Sequence, residues 1–515
     1  MPEVTLSSKQ RREVLVLMCT ALAVVVAATI SLNIALPSFA SDTGATQTQL
    51  TWVVDSYLLV FAALLLPAGA LADRFGRREV LVGGLAIFAV AALATAFVDS
   101  TGAVIALRVL SAIGAAAVMP STLSILTNSF PPEERSKAVG AWAGVAGGGG
   151  VLGMLIAGGL LEISSWRAIF VVNAALAVAA LIPIAIRAPT SRDPSATRID
   201  PVGVLLSVAG LAAVVYGVIE APNHGWTSLT FLGTVIGGCV LLAGFVAWSL
   251  RVENPLLDPR LFRSPGFASG SLAITMQFFA IFAFQFVSLQ YLQSVLGFSA
   301  LAAGAALLPI AVMLMTLAPR APRLADRFGM RAVVVAGSLL IVAAFVIFAQ
   351  LQVDSSYLHY LAGTLVLGIG MALGAVPATT AILDSLPPSH QGVASAVNDT
   401  TREVGGALGI AVLGSLLNQG YRSTIDARLA DVDQLRNAAR PSLQVAAQTA
   451  GELGPRGQRV LETAQDAFVH GLHIAFYSGA GAVLLGTLCF LLIAPRRASR
   501  NDRAPALEHA ATITP

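Results

Sequence analysis

The sequence predicts an all-α polytopic membrane protein, and three observations carry that prediction. Hydrophobic residues make up 56% of the 515-residue chain and charged residues 11%, with a mean hydropathy of +0.78. A water-soluble globule carries about 25% charged residues. Apolar runs of roughly 18 to 26 residues recur along the chain, each long enough to cross about 30 Å of hydrocarbon as a helix. The hexapeptide LADRFG occurs twice, at Leu71–Gly76 and Leu324–Gly329, each time between two such runs.

The runs number about fourteen. The first six lie at Val14 to Pro37, Leu50 to Leu71, Val80 to Val98, Ala103 to Thr127, Ala138 to Leu161 and Ala168 to Ile186. Val202 to Ile219 and Leu229 to Leu250 follow. The last six are Phe267 to Tyr291, Leu301 to Ala318, Ala332 to Ala349, Leu358 to Leu383, Ala394 to Leu417 and Ile474 to Ile493. The first run follows Lys9, Arg11 and Arg12 as a signal peptide would. It is too long for an h-region and lacks a small-residue cleavage site, so it reads as a retained first helix.

Arginines orient the helices. Connections after even-numbered helices carry Arg74, Arg77 and Arg78, then Arg135 and Lys137, Arg192 and Arg198, Arg251, Arg260 and Arg263, and finally Arg320, Arg323, Arg327 and Arg331. Those after odd-numbered helices carry essentially none, which places both termini in the cytoplasm. Arginine dominates over the two lysines, Lys9 and Lys137, and alanine and glycine abound, as in a high-GC bacterium; the expected location is the bacterial inner membrane. The long outer segment 418–470 holds six arginines and six acids, and its spacing predicts a short amphipathic helix or two outside the membrane. Cys19, Cys239 and Cys489 all fall within spans and read as small core residues. The net charge of +3 is accounted for by the inner loops and gives no reason to invoke nucleic acid.

The repeat extends past the hexapeptide. LADRFGRREVLVGG (Leu71 to Gly84) aligns with LADRFGMRAVVVAG (Leu324 to Gly337) at an offset of 253 residues (324 − 71), and Pro131-Pro132 recurs as Pro387-Pro388 at 256 (387 − 131). Two homologous halves follow from the near-equal offsets.

The segment Gly69-Ala-Leu-Ala-Asp73-Arg74-Phe75-Gly76-Arg77-Arg78, with its copy around Asp326, Arg327, Gly329 and Arg331, resembles the signature loop of the major facilitator superfamily. Fourteen spans, with helices seven and eight between the halves, narrow the resemblance to the drug:proton antiporter branch of EmrB/QacA type. Further matches run along nearly the whole chain: Asn33 to Pro37, Trp52 to Tyr57, Trp166-Arg167 with Phe170 and Asn173, Tyr291 to Gln293, and Asn398 through Arg402 to Gly405-Gly406.

The resemblance implies a major facilitator fold of two pseudo-symmetric six-helix bundles. They span residues 14–187 and 267–494, with a linker at 188–266 holding the two extra helices and tails at 1–13 and 495–515. It implies further that Asp73 meets the cytoplasmic start of helix thirteen and Asp326 that of helix five, latching the halves when the outer side is open. A carboxylate facing a helix N-terminus gains about 0.3 to 1 kcal/mol; the alternative is that the loop arginines only anchor topology.

Within the spans, Asp55 and Arg108 lie at equal depth, roughly 8 Å below the outer boundary by helical rise, and form a candidate pair for proton coupling. Ala28 stands where many relatives carry an acid. The alternative for Asp55 is an interfacial residue beside Trp52 and Tyr57. Gln277, Gln285 and Gln290, among phenylalanines that include Phe282, suggest with Asn33 and Tyr57 a cavity for amphipathic compounds; aromatic runs also face lipid or packed neighbours. In helix five, Gly144, Gly148, Gly149, Gly153 and Gly158 offer a smooth face for close packing. The Gly-Pro pair usual in the family's helix five is missing. His470 and His473 have no third ligand nearby, so no metal is expected.

The expected function is proton-driven export of amphipathic or cationic small molecules by a monomer in lipid, with a periplasmic adaptor as a candidate partner. Neither enzymatic activity nor a cofactor is expected. Export of an endogenous metabolite or lipid, and a transport-inactive receptor or assembly protein, remain open.

Overall fold

A computed structural model of the chain describes residues 7–190, 200–386, 391–452 and 455–495. Arg192, Arg198, Pro387-Pro388 and the tail from residue 496 lie outside the described residues. Among the described residues every regular element is helical. The first half comprises α1 (Ser8–Thr43), α2 (Gln47–Phe75), α3 (Arg77–Thr95), α4 (Thr101–Ser129), α5 (Pro132–Ile163) and α6 (Trp166–Arg187). Then come α7 (Pro201–His224) and α8 (Leu229–Ser249). The second half holds α9 (Pro265–Ser294), α10 (Ala300–Ala305), α11 (Leu308–Leu317), α12 (Ala321–Phe328), α13 (Met330–Phe348), α14 (Tyr357–Asp384), α15 (Gln391–Arg428), α16 (Asp433–Ala439), α17 (Leu443–Glu452) and α18 (Pro455–Ile493).

Counting α10 to α12 as one pass, twelve of these are long and apolar enough to cross a membrane. The other two expected runs fall on α5 and α15, of 32 and 38 residues. The chain is a multi-pass membrane protein.

Element boundaries depart from the apolar runs where local chemistry overrides hydropathy. Helix α1 starts inside the expected tail, at Ser8, because Ser7 and Gln10 form a reciprocal capping box. The tenth expected span breaks into α10, α11 and α12, with Pro309, Pro319 and Pro322 each seated at the first turn of a segment. The segment expected outside the membrane is mostly helix continuing from its neighbours. Helix α15 runs on to Arg428 and α18 already starts at Pro455, leaving only the short α16 and α17 between them.

The duplication is visible as packing. A Cβ on Gly84 would stand 2.7 Å from the Gly114 carbonyl oxygen, and one on Gly114 2.5 Å from that of Gly84, so α3 and α4 touch backbone to backbone. Gly337 and Gly370 repeat this between α13 and α14, at 2.7 Å both ways. Gly210 and Gly238 do the same for α7 and α8.

On α5 the glycine face is rotated from the expected one. Gly153 lies against α1, where a Cβ would be 2.6 Å from the Ala27 Cα, and Gly149 approaches the Ala23 Cα at 3.7 Å. Gly158 packs on Leu301 of the second half at 2.9 Å. Gly144 and Gly148, also expected on the packing face, are exposed and would meet nothing within 4 Å, because they lie on the other side of the helix from α1.

Hydrogen bonds between the halves sit away from the arginine loops. Asn418 Nδ2 donates to Thr48 Oγ1 at 2.9 Å, Gln293 Nε2 to the Ile34 carbonyl at 3.0 Å, Leu301 N–H to Glu162 at 3.3 Å, and Gln47 N–H to the Pro441 carbonyl at 2.9 Å. Toward the arginine loops the inner helices lose such partners: Gly140, Gly144 and Gly148 of α5 are exposed, and Asp399, Thr400, Arg402 and Glu403 of the central α15 are partly exposed. A cleft therefore opens toward the arginine face and is closed at the other.

Gly114→Ala forces a methyl into the Gly84 backbone and is expected to cost about 1 to 3 kcal/mol of stability. Gly144→Ala has open space and gains up to about 1 kcal/mol of helix propensity. Thermal unfolding of the two purified variants in one detergent checks the contrast.

Candidate functional site

The repeated loop is built identically in both halves up to one residue. Each copy ends its helix at a glycine with positive φ, 116° at Gly76 and 88° at Gly329, a backbone that side chains rarely adopt. The arginine two residues after the glycine turns back onto the last helix of its own half. Arg78 donates to the Ala188 carbonyl at 3.4 Å, and Arg331 donates to those of Ala494 and Leu491 at 3.3 and 2.7 Å. Both thereby satisfy carbonyls that a helix C-terminus leaves open. Arg74 and Arg327 each lie over the phenylalanine that follows them, at 5.4 and 5.2 Å.

The copies differ at the residue after the glycine. Asp73 forms an ion pair with Arg77 at 2.7 Å, whereas the counterpart of Arg77 is Met330, and Asp326 stands exposed without a partner among the described residues. The described contacts of Arg74, Arg78, Arg327 and Arg331 thus lie inside their own halves. Among the described residues Asp73 and Asp326 make no contact with the other half, and the turn expected to receive Asp73 begins at residues outside those described.

The second set of site residues lies where α1, α2, α4, α9 and α15 converge. Asp55 and Arg108 are both buried, at 0% and 2% exposure, but the structure does not close them into an ion pair. Arg108 Nε donates to the Val53 carbonyl at 3.2 Å and its guanidinium lies 4.1 Å from the Tyr57 ring centre. Both carboxylate oxygens of Asp55 lack a hydrogen-bond partner. Tyr57 accepts from Thr29 at 3.4 Å and stacks on Phe61 at 5.7 Å.

Of the expected cavity residues, Asn33 is buried with both side-chain polar atoms orphaned, as are one oxygen each of Gln285 and Gln290. The Gln290 amide nitrogen is held by the Phe286 carbonyl. Gln277 and Phe282 lie in helix packing: Gln277, whose two amide atoms also lack hydrogen-bond partners, fills the space over Gly374 on α14, and the Phe282 ring covers Gly406 on α15. Of the two histidines, His473 places its Nε2 2.6 Å from the Leu351 carbonyl.

Three ionisable residues that the sequence reading passed over complete the site. Asp399, Arg402 and Glu403 occupy one stretch of α15, roughly 12 to 18 Å from its start by helical rise. Arg402 pairs with Asp399 at 3.9 Å and lies over Phe278 at 5.2 Å, while Glu403 Oε2 has no partner. The signal was present in the sequence, since all three lie within the run Ala394 to Leu417 and charges inside a span are costly.

Unpartnered polar atoms thus occur in both halves: on the buried Asn33, Asp55 and Arg108 of the first, and on Gln277, Gln285, Gln290 and Glu403 of the second. Such groups can hold a proton, or an organic cation seated on aromatic and amide groups.

Residues 16–410 match the Major Facilitator Superfamily. The tetracenomycin C resistance and export protein of Streptomyces glaucescens is 32% identical over 481 residues, covering 92% of this chain and 89% of that protein. The multidrug efflux pump LfrA of Mycolicibacterium smegmatis is 34% identical over 447 residues, 86% of this chain and 88% of that one. Among solved structures, a bacterial homologue of the human lysosomal transporter Spinster, inward-facing and unoccupied, superposes with a TM-score of 0.69 over 96% of this chain and 100% of that one. At 18% identity, that likeness speaks for the fold alone.

Replacing Tyr57 by Leu leaves the Arg108 guanidinium without its aromatic face and is expected to cost about 2 kcal/mol of stability. Tyr57→Phe keeps the ring and loses one long hydroxyl contact, at a cost below about 1 kcal/mol. Thermal unfolding of the two variants separates the ring from the hydroxyl.

Proposed function

The chain belongs to the major facilitator superfamily, and on that premise we propose that it exports amphipathic or cationic small molecules across the bacterial inner membrane by proton antiport. The observation that carries this reading is the pair of intramembrane carboxylates, Asp55 and Glu403, that face the region between the halves without a hydrogen-bond partner on Asp55 or on Glu403 Oε2. With the arginine loops and both termini on the cytoplasmic side, by the positive-inside rule, the cleft opens to the cytoplasm.

An uncompensated charge at this depth is costly. A bound proton and a bound organic cation are two ways of neutralising it, and they exclude one another. A cation entering from the cytoplasm displaces the proton from Glu403. Rocking of the halves then exposes the site outward, where a proton returns and the cation leaves. Arg402 is already matched by Asp399, so Glu403 is the odd charge of the stretch. Arg108, held by Val53 and Tyr57, leaves Asp55 free for the same exchange on the other wall. The names of the relatives, as resistance, export and efflux proteins, support the outward direction.

Expression in a pump-deficient host is expected to lower steady-state ethidium accumulation, and a protonophore to abolish the difference. Glu403→Gln and Asp55→Asn are each expected to remove proton-driven uptake into inverted vesicles and to leave residual ethidium binding that no longer varies with pH. Vesicles of either variant that still concentrate ethidium under an imposed proton gradient would exclude that carboxylate. No accumulation difference across a broad panel of cations would leave export of an endogenous metabolite as the better reading.

The signature loop carries a second expectation. Asp73→Asn should reduce transport at unchanged membrane abundance and lower labelling of outward-facing cysteines from outside, because it weakens closure of the cytoplasmic side. Unchanged labelling would leave the loop with the capping and topological roles alone.

A further inference from the structure

The helices inserted between the halves, α7 and α8, make a hairpin whose attachments are unequal. At the cytoplasmic end the hairpin is closed on itself. Asp200 accepts from Gly203 N–H at 2.8 Å, from Trp248 Nε1 at 2.9 Å and from Leu256 N–H at 3.3 Å, tying the start of α7 to the end of α8. Helix α8 packs on α7 and turns its remaining apolar surface outward.

At the outer end α7 lies between α2 of the first half and α15 of the second, over an apolar cluster of Leu59, Val215, Ile219 and Ala411. To α15 it is held by several bonds. Ser415 Oγ donates to the Val218 carbonyl at 2.8 Å, and Arg422 donates to the Pro222 carbonyl at 3.4 Å and to Asn223 Oδ1. To α2 it is held by one hydrogen bond, from Trp52 Nε1 to Glu220 Oε1 at 2.9 Å, beside a Trp52–Tyr216 ring contact at 5.9 Å. The other Glu220 oxygen receives Asn223 Nδ2 at 2.7 Å. Glu220 therefore joins a donor from the first half to a network anchored in the second.

We infer that the α7–α8 hairpin is a strap fixed to the second half through α15, and that the Trp52–Glu220 hydrogen bond is the catch by which it holds the first half while the outer end is closed. The inference rests on the alternating-access reading above. Opening the outer end must part Thr48 on α2 from Asn418 on α15, now 2.9 Å apart. The strap cannot stay bound to both helices. It leaves the side where a single hydrogen bond holds it, and the strength of that bond sets part of the balance between inward- and outward-facing states.

The test uses the full chain in lipid nanodiscs with Cys19, Cys239 and Cys489 replaced by serine. Spin labels at Ser41→Cys on α1 and Gln419→Cys on α15, both exposed, report the outer end by pulsed electron resonance distances. Lys137→Cys with Asp384→Cys, also exposed, reports the cytoplasmic end. Tetraphenylphosphonium and pH are the variables. Glu220→Ala and Trp52→Phe are each expected to raise the ratio of outer-open to outer-closed distances about tenfold, the worth of one charge-assisted hydrogen bond. The double variant should move it no further than either single one.

Trp52→Phe keeps a ring in the apolar cluster and so remains informative if Glu220→Ala fails to fold. Unchanged ratios in the variants that fold, or additive effects in the double one, overturn the catch while wild-type motion at both ends leaves alternating access standing. A wild type that shows one distance at each end under every condition overturns both.

Discussion

Inside hydrocarbon no water is available to satisfy a backbone amide or carbonyl, and every other property of this chain is arranged around that constraint. It makes each pass a helix, and it removes the hydrophobic drive that packs helices in water, so close contact must supply the attraction. The chain meets that need with glycine pairs that let backbones touch: Gly84 with Gly114, Gly337 with Gly370, and Gly210 with Gly238. Two of these pairs are copies of one another, Gly84 and Gly337 related by the offset of 253 of the repeated loop and Gly114 and Gly370 by the 256 of the Pro-Pro pair. The duplication is therefore a duplication of contacts as well as of letters. The same constraint explains why the loop arginines reach back to the carbonyls of α6 and α18, where a helix end would otherwise stand open at the membrane edge.

Much of this was legible because it depends on local pattern. Apolar runs locate the helices, and a hexapeptide that ends each copy in glycine predicts the same turn twice, which Gly76 and Gly329 make. What was not legible depends on rotation about a helix axis. Composition marks α5 as a packing helix but does not tell that Gly149 and Gly153 face α1 while Gly144 and Gly148 face away. Equal depth made Asp55 and Arg108 a candidate pair, yet depth leaves azimuth free, and Arg108 turns to Val53 and Tyr57. Gln277 was grouped with Gln285 and Gln290 by residue type, though only the structure places it over Gly374. Glu403 is a different case. Its charge lies inside the apolar run Ala394 to Leu417 and is legible from the sequence as a costly group.

The charges divide into two populations with different consequences. At the helix ends they are matched: Arg167 with Asp99 and Asp42, Arg187 with Glu13, Arg11 with Glu134, Arg428 with Asp466. Exposed pairs of this kind contribute little to stability, about 0 to 1 kcal/mol, and serve mainly to fix the positions of helix ends. In the interior the pattern reverses, and Asp55, Arg108, Arg402 and Glu403 all carry polar atoms that the protein leaves unsatisfied. Unlike the charges at the helix ends, these stand where an unmatched charge is expensive.

Symmetry between the halves would, if complete, make the two closed states equivalent, and the chain departs from it at both ends. On the arginine side the second copy of the loop has Met330 where the first has Arg77, so Asp326 lacks the ion pair that restrains Asp73. On the other side three features have no counterpart: the strap α7–α8, the short helices α16 and α17, and the bond from Gln47 to Pro441. One end is thus closed by several uncharged hydrogen bonds together with a buried apolar cluster, whereas among the described residues the loop contacts at the other are ion pairs and caps within each half. Contacts of the first kind are insensitive to salt, whereas those of the second weaken as ionic strength rises. In the present arrangement the better-provided end is the one that is shut.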